Sequence, residues 1–101
     1  MSKPVPKEFE SKGIVHSGLL VLPPQVALEF VRYCRKENLE LVSVDGFRLL
    51  PQNVIQPDLE NSLSLFRRVY DSWTLKQQFD AAEKFLEERL GTDLFFDVTT
   101  V

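Results

Sequence analysis

Residues 24–50, PQVALEFVRYCRKENLELVSVDGFRLL, carry the chain from one regular element into the next. Pro24 suits a first helical turn, where its missing N–H is no loss. Val26 or Ala27, Phe30, Val31 and Cys34 then recur at helical spacing. Arg32, Arg35 and Lys36 sit towards the negative end of the helix dipole, and Asn38 tolerates the left-handed conformation that closes helices. The spacing predicts a helix over 24–37, with Leu39 folding back beneath its end. LELVSV reads as a strand with Val42 and Val44 on one face and Leu41 and Ser43 on the other. Asp45-Gly46 is a strong two-residue hairpin signal, because the turn needs positive φ at both positions. FRLLP is then expected to return antiparallel, with Pro51 ending the strand.

Outward from this stretch, a second helix is equally well marked. Thr74 with Gln77 matches a capping box, and Leu75, Phe79, Ala82, Phe85, Leu86 and Leu90 form one apolar stripe that Gly91 should close. LFFDVTTV alternates Leu94, Phe96 and Val98 against Phe95, Asp97 and Thr99, as a final strand does. SLSLF (62–66) reads as a strand, with a helix through LSLFRRVYDSW as the competing reading. GIVHSGLLVL (13–22) reads as a short strand or core-packed segment that Gly18 interrupts. Residues 1–12, with prolines 4 and 6 and alternating charge, read as a flexible arm, leaving 13–101 as one domain. The expected class is α+β: two helices packed on one face of a mainly antiparallel sheet of three to four strands. Ser43, Arg48, Ser62, Ser64 and Phe95 are then expected on the open face.

The 101 residues are 44% hydrophobic and 27% charged with a formal net charge of −3. Such a chain folds as one domain with a modest core, and it lacks the basic stripe of a nucleic-acid binder. One cysteine excludes an internal disulfide and a multi-cysteine zinc site. The polar start and the interrupted apolar run point to the cytoplasm rather than a membrane.

Enzyme signatures are sparse. No G-x-S-x-G, glycine-rich phosphate loop or H-E-x-x-H occurs. His16 and Cys34 form a conceivable dyad, but a small thiol on an apolar helix face is a packing residue. Asp45 has a sufficient role in a turn. Asp45, Asp58 and Glu60 lack the ordered spacing of a calcium loop. No cofactor is expected. The polar connection 52–61, carrying Gln52, Asn53, Gln56, Asp58, Glu60 and Asn61 between prolines 51 and 57, reads instead as a stiff loop able to display side chains at reduced entropy cost. With Arg48 and the aromatic Trp73 it makes the candidate partner-binding set. Tyr70 and Trp73 serve equally well as a lid on the core.

ALEFVRYCRKENLELVSVDGF, an alanine-started amphipathic helix with a late cysteine followed by an apolar strand ending in Asp-Gly, resembles the opening of colicin E5-type immunity proteins. IQPDLENSLSLF and DLFFDV resemble proteins associated with that group, and the likeness covers about half the chain. The resemblance implies a cytoplasmic inhibitor that blocks the active site of a toxin, commonly a nuclease, without chemistry of its own. A net acidic chain suits a basic protein partner. Direct nucleic-acid binding is not expected. The alternatives are a homodimer or larger homo-oligomer that pairs through its open face and holds a small ligand, and a small enzyme.

Overall fold

The computed structural model describes residues 6–16, 18–65 and 73–101, with His16 and Asn53 by their backbone alone. Helix α1 (Lys7–Glu10) precedes a small hairpin of β1 (Ile14–His16) and β2 (Leu19–Val21); α2 (Pro24–Lys36) follows. Next come β3 (Leu41–Leu50), a three-residue 3-10 turn (Pro51–Asn53), β4 (Val54–Ser64), α3 (Leu75–Glu87) and β5 (Leu94–Thr100). The fold is α+β, with both long helices against one face of an antiparallel sheet ordered β4-β3-β5.

The helices form for the reasons their sequences suggest. α2 starts on Pro24 and buries Ala27, Leu28, Phe30, Val31 and Cys34. It ends in a Schellman motif: Leu39 N–H donates to Cys34 O (2.9 Å), Asn38 N–H donates to Arg35 O (3.3 Å), and Asn38 takes φ 54°. In α3, Thr74 Oγ1 accepts from Gln77 N–H (3.2 Å) while Gln77 Oε1 accepts from Thr74 N–H (2.8 Å), completing the capping box. Its inward face carries Gln78, Phe79, Ala82, Phe85 and Leu86. α3 stops at Glu87, short of Gly91, so Leu90 falls in the following turn and is exposed rather than part of the stripe. Gly91, at φ 82°, still reverses the chain towards β5.

The described part of the expected arm is seated on the core. Phe9, in α1, is buried and meets the rings of Phe30 and Tyr33 at 5.2 and 5.6 Å. Beyond the small hairpin, Leu22 bridges Phe96 through two backbone hydrogen bonds of 2.8 and 2.7 Å, covering the far edge of β5. Leu94, Phe96 and Val98 face the helices as their alternation predicts, and Phe85 stands edge-on to Phe96 at 5.9 Å. The ladder between β3 and β5 shifts register between Leu41 and Ser43, which turns Leu41 inward with Val44 and leaves Val42 half-buried. That exchanges Leu41 and Val42 relative to the alternation expected for LELVSV, while Val44 and Ser43 keep their expected faces.

The Asp45-Gly46 hairpin does not exist. β3 runs straight through both residues, and the reversal comes at Pro51–Asn53. The glycine answers a different requirement: a Cβ on Gly46 would lie 2.2 Å from Asn61 O. The chain of β4 crosses there because Val44 pairs with Leu63 but Gly46 pairs with Asp58, so residues 59–62 bulge out. Ser62 Oγ plugs the bulge, accepting from Gly46 N–H (3.0 Å) and donating to Asp58 O (2.9 Å). The segment expected as a loop, 52–61, is therefore mostly strand, continuous with the strand expected at 62–66 up to Ser64. Residues 66–72, with the competing helix and Tyr70, lie outside the described residues.

Candidate functional site

The β3–β4 hairpin outgrows the sheet that anchors it. β5 accompanies β3 only as far as Arg48, which pairs with Leu94. Beyond that point Leu49 pairs with Ile55 and Leu50 with Val54, with no third strand alongside among the described residues. At the tip, Gln52 holds φ 64° and ψ 29°, a left-handed conformation that few side-chain-bearing residues adopt. The projecting part exposes apolar side chains on both faces: Leu50 and Val54 (38 and 47% exposed) on the helix side and Leu49 (39%) on the open face, while Leu59, 85% exposed, lies apart from them on the bulge beside Gly46. Gln52, Gln56 and Glu60 are exposed polar residues of the same hairpin.

Where the hairpin leaves the helical layer, a chain of polar contacts holds two arginines. Asp58 Oδ2 accepts from Arg48 Nε (2.9 Å) and from Asn61 Nδ2 (3.0 Å). Asn61 Oδ1 in turn accepts from Arg89 Nε (2.9 Å). Arg89 Nη1 donates to Phe85 O (2.9 Å), and its guanidinium lies 3.7 Å above the Phe85 ring. The Asn61 amide, followed by the charge of Arg48, holds the Asp58 carboxyl below the usual carboxylate range. Between the hairpin and the turn leading to β5 this leaves a groove of about 520 Å³. Arg48, Asn61, Arg89 and Leu94 line it, together with Glu88, Thr92 and Asp93.

Among the predicted partner-binding residues, Arg48, Asp58 and Asn61 are brought into direct contact. Gln56 stands opposite Arg48 in the ladder, Gln52 occupies the turn, and Asn53 closes it. Arg48 is not on the open face: its pairing with Leu94 places it on the helix side, beyond the end of α3. Asp58 is not a freely displayed acid, since its side chain is only 12% exposed and already engaged. Trp73 is half-buried against the core just before α3, in the lid position. Arg89 was missed, because the helical wheel places it on the solvated side of α3. The turn after Glu87 redirects it, and only the arrival of Asn61 gives it a partner. Leu59 gave no local signal either, since its exposure depends on the bulge.

The other candidates fall elsewhere. Cys34 is fully buried, and desolvation pushes its thiol up to about 12, which makes it a packing residue. Asp45 lies on the open face opposite Asp97, with Ser43 Oγ donating to Asp45 (2.8 Å) and Thr99 Oγ1 donating to Asp97 (3.4 Å). Burial, then the charge of Asp45, pushes the Asp97 carboxyl up. Asp45 and Asp58 sit on opposite faces, and among the described residues no three histidine, cysteine or acidic side chains gather. No described helix is long and apolar enough to cross a membrane. Comparison with known protein families and with curated proteins finds no match.

Proposed function

We propose that this protein is a binding module without catalysis of its own, which occupies the surface of a protein partner with its β3–β4 hairpin. Inhibition of a basic toxin, such as a nuclease, by occlusion of its active site is the mode that the resemblance to immunity proteins suggests. The observation that carries the reading is the extension of Leu49, Leu50 and Val54 beyond the end of β5, with Leu59 exposed on the bulge of the same hairpin. Exposed apolar side chains set among polar ones are a feature of protein-binding surfaces. Glu60, exposed beside Leu59, is the acid of this region available for steering a basic partner, since Asp58 is engaged by Arg48 and Asn61.

The test compares the native chain with a Val54→Lys/Leu59→Lys variant in affinity capture, followed by calorimetry with the purified partner. Folded stability should shift by less than about 0.5 kcal/mol, because both sites are on the surface. Affinity should fall by about tenfold or more. Glu60→Lys should slow association and flatten its salt dependence. A partner that binds the double variant as tightly as the native chain places the interface away from the hairpin.

A further inference from the structure

The groove behind the hairpin is built for something smaller than a protein surface. We propose that it is a carboxylate-binding site in which the guanidinium groups of Arg48 and Arg89 receive the anion. Two features distinguish this pair from ordinary surface arginines. Each guanidinium is held through its Nε by the Asp58–Asn61 unit, and Arg89 is further fixed by Phe85 O and the Phe85 ring, leaving its side chain 21% exposed. The entropy of ordering two long side chains is thus spent in the free protein, and an incoming anion meets a preorganised fork. Among the described residues, these contacts engage Nε of Arg48 and Nε and Nη1 of Arg89. The remaining N–H groups are the planar paired donors that a carboxylate matches.

The lining also sets a limit on the ligand. Glu88 and Asp93, both exposed, and Asp58, already on Arg48, outnumber the two arginines by one in formal charge, and Glu88 Oε1 lies 3.8 Å from Arg89 Nη1. A dianion or a nucleic-acid backbone is repelled by those acids, whereas a carboxylate carried beside a cationic group is matched by them. Leu94 supplies one apolar wall and Thr92 a hydroxyl. The volume of about 520 Å³ lies within the usual range for small-ligand sites. A free amino acid and an acidic side chain presented by a peptide share this chemistry. The inference stands whether or not the hairpin tip meets a protein.

The experiment is an NMR titration of the folded chain that follows the arginine Nε–Hε signals, with acetate, glycine, dianionic phosphate and a capped glutamate peptide as probes. Chloride at matched ionic strength is the control. Acetate should shift the Arg48 and Arg89 signals saturably, with half-saturation at about 1–10 mM. Phosphate should bind more weakly than acetate. Glycine binding more tightly than acetate identifies a free zwitterion as the source, and a tighter capped peptide identifies a side chain. Arg89→Lys, which keeps the charge but loses the fork, should weaken acetate binding about tenfold. Arg48→Gln provides a second variant at an exposed position. The proposal is overturned if no probe gives a saturable shift in the native chain, if chloride reproduces the shifts, or if both folded variants respond as the native chain does.

Discussion

Gly46 shows how one residue can be read correctly as special and wrongly as to why. An Asp-Gly pair between apolar runs is a turn signal when only neighbours are considered. The feature that demands glycine here is the Asn61 carbonyl, brought against it by a bulge far along the chain. No local pattern reports such an approach. Gly46→Ala should therefore cost about 3 kcal/mol or more, because the atom met is backbone and moves only with the whole bulge. Equilibrium urea unfolding measures it; a loss below about 1 kcal/mol would mean that β4 shifts freely. By contrast Asn38 and Thr74, whose roles are satisfied within their own turn, behave as their sequence context predicts. Gln78 belongs with the hidden cases. It is fully buried, its Nε2 donates to Leu65 O, and its Oε1 has no partner among the described residues, so α3 carries a polar tie that its apolar stripe gives no reason to expect.

Among the elements, the two long helices are the parts most legible in the sequence, since caps and apolar stripes are local properties. α3 buries Phe79 at 2% exposure, and Phe79→Ala should cost about 3–5 kcal/mol in denaturant melts. A much smaller loss would show that α3 does not seal the core. Of the β3–β4 hairpin, β3 is legible as two strands about Asp45-Gly46 and β4 only at its end, 62–64. Residues 54–61 of β4 carry a proline, amides and charges in place of the alternation that marks a half-buried strand. That composition is what an edge strand tolerates, Pro57 included, since an edge need not donate outward. The candidate site inherits the same division. Arg48, Asp58 and Asn61 lie close in sequence to the signals that drew attention to them, whereas Arg89 comes from a distant turn and joins them only through tertiary contact.

For the molecule as a whole, the open face of the sheet and its helix-covered side respond oppositely to acid. Asp97 titrates above its ordinary 3.8 in the folded state, raised by burial and by Asp45 across the ladder. Its contribution is therefore fully present below 3.8 and lost as pH rises through the folded value. Asp58 and Asp80 titrate below 3.8, held down by hydrogen bonds from Asn61 and Lys76 first and by Arg48 and Arg35 as well. Their contributions are present above 3.8 and lost as pH falls through their folded values. Stability should thus rise modestly on mild acidification, then fall once Asp58 and Asp80 take up protons. Urea midpoints across acid pH should show the rise in the native chain and not in Asp97→Asn. At neutral pH Asp45→Asn should gain roughly 0.2–1 kcal/mol, the usual size of a cross-strand like-charge pair. A rise that persists in Asp97→Asn assigns it to another group. The position of β5 has a separate consequence for synthesis. Its residues are made after every element they join, yet Phe96 sits between Phe85, Gly46 and Leu22. A nascent chain that has emerged only through α3 lacks the strand on which Phe85 and Leu22 pack, and the contacts that strand makes reach back across most of the chain. Closure of this layer must therefore wait until residues 94–100 have cleared the ribosome, which gives folding a slow, long-range step.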